Sequence, residues 1–417
     1  MAELLSDLMK ISPKIQAAAE GVLAAEEQYK ASHGGYYPEI SATSWAGRQR
    51  YATPSQGETT MGAKNLKVAV TQPIYNFGKT DSIVDAAHIN LDLKQSELEV
   101  ERQNALLEGI TAYINLYKSL QSLNYARRSE ANIRQQSGLE ETRVRSGAGY
   151  TTDVLQVKGQ LADAEGRRVE AEAQLDRAIA RYRNVFQREV DSLARLTPLR
   201  EADDALPRDL DQALEAARGS SPALRKAQIE SLLKREAIKL ARVEGFAPRL
   251  DLVGEMAREN NISGISGNQR ENTIKLQVTW GLNLGLTAVN SLKAAEHNLS
   301  ASERRTKMAA DNLEEGVTNA WNDIKKARQA AKYFHERSDR AGEFLGLARK
   351  EREIGIRTLT DLLAGETNYI NALNDAVAAD MQVVLAGYTL LWNMGSLDEM
   401  IVAENVEAAA VSRRNLQ

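Results

Sequence analysis

The sequence predicts a mainly α-helical protein with a small β part, made of one unit written twice: a strand hairpin followed by long coiled-coil helices. Three observations carry that expectation. Landmarks recur at a spacing of 208 to 210 residues, each half sustains a seven-residue apolar series, and the stretch Glu271 to Thr287 alternates with a period of two.

The repeat comes first because it fixes where everything else is sought. Ser12-Pro13 and Ser221-Pro222 both open helical stretches, and Pro38 and Pro248 both precede strand-like runs. Gly147 to Asp153 (GAGYTTD) aligns with Gly355 to Asp361 (GIRTLTD). Residues 1–217 are therefore expected to form the first repeat: a helix from Leu4 to about Ser32, strands at about 37–51 and 64–75, a long helix at 79–145, a return helix at 153–186 and an equatorial connector at 187–217. Residues 218–398 are expected to form the second: a helix from Pro222 to about Val243, strands at about 248–260 and 272–286, a long helix at 288–350 and a return helix at 361–392. Residues 399–417 are expected to be a C-terminal tail in the equatorial region.

The long helices follow from the heptads. One series runs through Val84, Leu91, Leu98, Ala105, Ala112, Ser119, Ala126 and Ile133, the other through Leu292, Leu299, Thr306, Leu313, Ala320, Ala327, Phe334 and Ala341. Sustained spacing of this kind marks a coiled-coil seam, and its small residues let neighbouring helices approach closely. The hairpin tips are sought near Thr53–Gly62 and Asn261–Arg270, which are rich in Gly, Ser, Asn and Gln.

In the second hairpin, Ile274, Leu276, Val278, Trp280, Leu282, Leu284 and Leu286 alternate with Lys275, Gln277, Thr279, Gly281, Asn283 and Gly285. Such a strand fits lipid on one side and water on the other, with Leu276, Val278, Trp280, Leu282 and Leu284 facing lipid. One wall of a soluble β-sandwich reads the same way over a few residues.

Composition excludes several classes of function. The chain has 417 residues and a formal net charge of −4, with 53 Lys and Arg interleaved among 57 Asp and Glu, so no nucleic-acid surface is expected. No window holds the roughly 18–20 uninterrupted apolar residues that a spanning helix needs. Cysteine is absent, which removes disulfides, thiolate metal sites and cysteine acylation. His33, His88, His297 and His335 lack ligand spacing, and Ser146-Gly147-Ala148-Gly149 lacks the Gly-Lys-Ser/Thr ending of a phosphate cradle. No catalytic constellation, metal site or cofactor is expected. The opening MAELLSDLMKIS has no n-region or h-region and is expected to be a mature start with an added Met, its export signal absent from this sequence.

Four strands cannot close a barrel, because the smallest closed membrane barrels have about eight. Open edges in lipid would leave backbone groups unpaired at a cost of several kcal/mol each. Several copies must then share one barrel, two giving eight strands and three giving twelve. The duplicated unit, the run Gln72-Pro73-Ile74-Tyr75-Asn76-Phe77-Gly78 and the paired Gly…Asp turns resemble the TolC-like outer-membrane factors of Gram-negative bacteria. That resemblance implies a homotrimer whose twelve-stranded transmembrane β-barrel, set in outer-membrane lipid, continues as an α-helical tunnel across the periplasm. It also implies two partners, a periplasmic adaptor protein and an inner-membrane ABC transporter or other efflux pump. The expected function is the exit duct of a type I protein secretion system. The alternatives are the outer-membrane component of a small-molecule efflux pump and a soluble coiled-coil scaffold.

The resemblance also implies site residues. Arg357 and Asp361 inherit the aperture roles, with Asp361 forming an acidic ring, and Asp153 is the equivalent in the first repeat. Arg352 stands where the best-known members carry a closing Tyr, and Ala364 where they carry a second Asp, so a single acidic ring and different closing contacts are expected. Gly147, Gly149 and Gly355 mark the turns that would dock the adaptor. Pro73, Gly78 and Gly281 mark the swivels from strand to helix, the second repeat having Trp280-Gly281 where the first has Gln72-Pro73. Against the aperture reading, Asp153 and Asp361 could each simply cap the helix that follows its turn.

Overall fold

The computed structural model describes residues 2–53, 57–281 and 284–398. Its elements run α1 (Ala2–Ile11), α2 (Pro13–Ser32), β1 (Glu39–Thr53), β2 (Gly57–Tyr75), α3 (Lys79–Arg145), α4 (Thr151–Phe186), α5 (Leu210–Ser220), α6 (Pro222–Phe246), β3 (Arg249–Asn260), β4 (Asn268–Thr279), α7 (Thr287–Glu353) and α8 (Leu359–Met394). The long helices α3 and α7 each hold 67 residues, about 100 Å at 1.5 Å per residue. None of the predicted seam positions on either is solvent-exposed, which is what holds helices of this length together.

The chain divides into two compact units, each drawing on both halves of the sequence. One comprises Met1–Ala18, Glu97–Arg225 and Ala309–Gln417. Its largest core gathers Leu5 and Leu8 from α1, Ile110, Tyr113 and Leu116 from α3, Tyr182 and Phe186 from α4, and Tyr388 and Leu391 from α8. Gly109 is where α1 lies on α3, since a Cβ there would come 2.7 Å from a methyl of Leu8. The connector is pinned to this core through its backbone: the Tyr113 hydroxyl donates to the Thr197 carbonyl at 2.8 Å, and the Tyr388 hydroxyl donates to that of Arg200.

Part of the connector is helical. Asp209 caps α5 by accepting from the Gln212 N–H at 2.8 Å, and Ala213 and Ala217 bury against Val317 and Leu390. Gly395 ends α8 at φ +70°, with Pro222, Ser220 and Ser221 all within 2.8 Å of where a Cβ would sit. Gly395→Ala is therefore expected to cost about 2–4 kcal/mol, from left-handed strain plus overpacking, and to lower the thermal midpoint followed by circular dichroism.

The other unit, Ala19–Ser96 with Lys226–Met308, holds the sheet. Its order is β1-β2-β3-β4, antiparallel throughout, and the β2–β3 pairing joins the two hairpins. Several strand boundaries differ from expectation, three of them by the most informative margins. The first hairpin pairs as far as Thr53 opposite Gly57, so most of the predicted tip at Thr53–Gly62 is strand, because Gly and Thr there still complete the ladder. β4 starts at Asn268, four residues before the predicted start. It ends at Thr279 rather than Leu286, beyond the last residue that β3 can pair.

Candidate functional site: an apolar sheet face and a pair of helix turns

Register sorts the strand residues into two faces. On one, Leu250, Leu252, Gly254 and Met256 of β3 lie opposite Val278, Leu276, Ile274 and Asn272 of β4, and Val70 and Val68 of β2 lie opposite Ile40 and Ala42 of β1. This face is bare: Ile274 is 83% exposed, Leu276 69% and Val278 67%. Among the described residues no helix covers these side chains, so their burial requires a solvent other than water. The opposite face carries Lys67, Glu255 and Lys275, with Glu255 at 3.3 Å from the first ammonium and 3.4 Å from the second.

At the helix end of the sheet the apolar face is bordered by exposed aromatics. Tyr75, Phe77, Phe246 and Trp280 gather there; the Trp280 indole N–H donates to the Phe246 carbonyl at 3.3 Å, and the Tyr75 and Phe77 rings lie 4.6 Å apart. Amphipathic rings in this position suit a membrane–water boundary. Leu284 is fully open at 96% exposure but lies past the end of β4, and Leu282 is outside the described residues.

The swivels differ between repeats. Pro73 sits at a register shift between Pro73 and Tyr75, and Gly78 has φ +82° just before α3. Gly281 takes no left-handed φ; that conformation falls on Leu286 at φ +60°, immediately before α7. Leu286 is the counterpart of Gly78, so the second repeat makes the same bend with a residue that resists it.

In the other unit, the α3–α4 and α7–α8 turns are built alike. Gly147 (φ +75°) and Gly355 (φ +84°) each close a Schellman motif: the Gly147 N–H donates to Val144 and that of Ala148 to Arg143, while Gly355 donates to Arg352 and Ile356 to Glu351. Gly149 allows close passage, since a Cβ would come 3.2 Å from Val144. The turns are tied by Gln156 of α4, which donates to the Thr360 hydroxyl at 2.9 Å, and by Ile133, Val157, Leu359 and Leu363 packed beneath.

Neither aspartate is a helix cap. Thr358 caps α8 by accepting from the Asp361 N–H at 3.1 Å, and α4 starts from Tyr150 without a side-chain cap. Both aspartates sit in the first turn, where a negative charge complements the helix dipole. Asp361 is half-exposed and 3.9 Å from Arg357. Asp153 makes no side-chain hydrogen bond among the described residues. Arg357 is held by Glu351 at 2.7 Å and lies 5.2 Å over the Phe344 ring.

The strongest contact at these turns joins α7 to α3. The Arg352 guanidinium donates to Glu140 at 2.8 Å and to the Arg357 carbonyl at 3.2 Å, and Arg143 reaches the same Glu140 oxygen at 3.1 Å. Glu140 is 1% exposed, and its other oxygen has no partner. Nearby, Glu366 of α8 receives Arg349 at 2.6 Å and the Asn132 amide. Asn132, Arg143, Arg349, Arg352 and Glu366 line a cavity of about 270 Å³. On the adjoining face, the Lys158 ammonium beside Glu141 holds that carboxyl below its ordinary value. Sequence reasoning missed Glu140, although it occupies the next heptad place after Ile133, where a charge is out of keeping with the seam.

The outer membrane efflux protein family model matches residues 4–185 and again 213–395. The chain belongs to that family. Outer membrane efflux protein BepC of Brucella suis is 23% identical over 384 residues, covering 92% of this chain and 82% of its own length. Outer membrane protein TolC of Escherichia coli is 22% identical, covering 81% and 70%. Alkaline protease secretion protein AprF of Pseudomonas aeruginosa is 24% identical, covering 77% and 68%. In three dimensions the chain is similar to the Campylobacter jejuni CmeC outer membrane channel, with a TM-score of 0.83 at 13% identity over 97% of this chain and 88% of that one. As an outer membrane efflux protein it is a channel component and not an enzyme, and it resides in the outer membrane of Gram-negative bacteria. The soluble-scaffold reading falls with that assignment.

Proposed function

We propose that three copies of this chain form one outer-membrane barrel of twelve strands, continued by a helical tunnel that serves as the exit duct of a type I protein secretion system. The observation that carries this reading is the bare apolar face on a four-stranded sheet whose two edges are unpaired among the described residues. Identical neighbours satisfy both needs at once, because lipid covers the face and the next copy's edge takes the backbone hydrogen bonds. The sequence repeats 1–217 and 218–398 then supply alternate hairpins of the barrel; the expected tail at 399–417 lies outside the described residues. The partners are a periplasmic adaptor, docking on the turns at Gly147, Gly149 and Gly355, and an inner-membrane transporter.

Secretion is favoured by the segment Gln72–Lys79, which resembles the secretion members of the family, and by the similarity to an alkaline protease secretion protein. Small-molecule efflux is the second reading, favoured by the similarity to BepC. Deleting the gene and comparing the two phenotypes separates them. Loss of a protein from the medium, with an ATP-hydrolysing transporter co-purifying from native membranes, supports secretion. An unchanged medium with heightened sensitivity to dyes and antibiotics moves the assignment to efflux.

The turns of the second helix pair act as the gate, with Asp361 lining the aperture as a single acidic ring that favours cations. Arg357→Ala removes the Glu351 bond and the contact over Phe344, and is expected to raise single-channel conductance in planar bilayers. An unchanged conductance would take the gate role away from Arg357.

A further inference from the structure

The apolar face changes character toward the hairpin loops. Past Met256 and Asn272, toward the hairpin loops, the apolar face continues with Arg258 directly opposite Arg270. Lys64 lies diagonal to Arg258 and Arg48 diagonal to Lys64 on the same face. The carboxylates of these rows, Glu259 and Glu271, point to the other face by the alternation of the strands. Nearer the first hairpin tip the same face carries the ion pair Arg50–Glu58, whereas the rows of Lys64, Arg258 and Arg270 carry cations alone. Arg258 and Arg270 have no carboxylate partner among the described residues; Arg258 donates only to the Ala257 carbonyl, at 3.2 Å. Like charges directly opposite each other across a ladder are unfavourable unless an anion sits between them.

Position says which anion. Arg270 is eight residues along β4 from Val278, about 26 Å at 3.3 Å per residue and about 20 Å once the usual barrel tilt is allowed for. That places the arginines at the upper rim of an apolar band about 25 Å tall, whose lower rim is the Tyr75–Trp280 aromatic group. The loop end is opposite the end from which α3 and α7 leave the sheet, so with the helices in the periplasm it faces the outer leaflet. A concavity of about 370 Å³ lies there, lined in part by Lys64, Arg258, Arg270, Asn260 and Asn268, and also by Glu259.

We propose that Arg258, Arg270 and Lys64, with Arg48 beside them, bind the phosphate groups of a phosphorylated glycolipid in the outer leaflet, whose acyl chains lie on the apolar face below. Guanidinium forks suit phosphate oxygens, and the opposed arginines can share one phosphate or hold two adjacent ones. The inference rests on the outer-membrane barrel proposed above.

The test titrates full-length protein, purified in neutral detergent, with bis-phosphorylated lipid A, dephosphorylated lipid A and inorganic phosphate, reading binding by thermophoresis. Bis-phosphorylated lipid A is expected to bind, and the triple variant Lys64→Gln/Arg258→Gln/Arg270→Gln to bind it at least tenfold more weakly. Raising the salt should weaken the wild type toward the variant. Arg258→Lys/Arg270→Lys, which keeps the charge and loses the fork, serves if the triple variant does not assemble, and should fall between the two. Equal binding by the variants, equal binding of dephosphorylated lipid A, or equal binding of inorganic phosphate would each overturn the site. Wild-type protein that stays soluble without detergent would instead overturn the barrel itself.

Discussion

A chain carrying Leu276→Arg is expected to yield no heat-resistant oligomer in the outer-membrane fraction. Leu276 lies opposite Leu252 in the middle of the bare face, and no carboxylate shares that face near it. An arginine on the lipid side at mid-depth costs about 2–4 kcal/mol, so three copies in one barrel cost about 6–12 kcal/mol. That is comparable with the whole folding stability of an ordinary domain. The control is one residue away. Lys275 points to the other face and contacts Glu255 at 3.4 Å, so Lys275→Leu is expected to leave the oligomer intact. Semi-denaturing electrophoresis of unheated membranes reads both, and equal damage from the two substitutions would refute the assignment of faces.

Arg352→Ala is expected to lower the thermal midpoint and to raise single-channel conductance. Glu140 would then keep only Arg143, with one oxygen already unpartnered in a site 1% exposed. Removing one member of a buried ion pair typically costs about 3–5 kcal/mol, and the remaining arginine places this case toward the lower end. The same substitution releases the α7–α8 turn from α3, since Arg352 also holds the Arg357 carbonyl. Adding Glu140→Gln to Arg352→Ala removes the stranded charge, so the double variant should regain part of the midpoint while conductance stays high. If both readouts match the wild type in Arg352→Ala, the contact is not a closing element.

What could be read in the sequence followed the strength of the periodic signal. The first long helix was expected at 79–145 and is found at Lys79–Arg145, because an unbroken seam ends at a glycine that only a turn accommodates. The second was expected at 288–350 and runs Thr287–Glu353. Strand ends were harder. Pairing carries β2 back to Gly57 through residues that read as loop, while β4 stops at Thr279 although its alternation continues, since a strand needs a neighbour as well as a pattern. The short helix α5 lay hidden in a Pro- and Asp-containing stretch, where Leu210, Ala213, Leu214 and Ala217 were its signal.

At the turns, repeat alignment picked out Gly147 and Gly355, and the family resemblance pointed to Arg357 and Arg352. The carboxylate partner of Arg352, Glu140, lies 212 residues away in sequence, so spacing could not supply it. Glu140 alone could have been flagged, as a charge at a seam position. Likewise, the opposed arginines become visible only when register sets residue 258 against residue 270.

The strand count has a genetic consequence. An even number of antiparallel strands leaves the β1 and β4 edges running in opposite directions, so copies that all point the same way can join head to tail around a ring. Every subunit then bears two seams, and each Leu276→Arg member adds its own cost of about 2–4 kcal/mol to the ring that includes it. In a cell making normal and Leu276→Arg chains equally, random mixing leaves only about one ring in eight wholly normal. The altered allele should therefore behave as dominant.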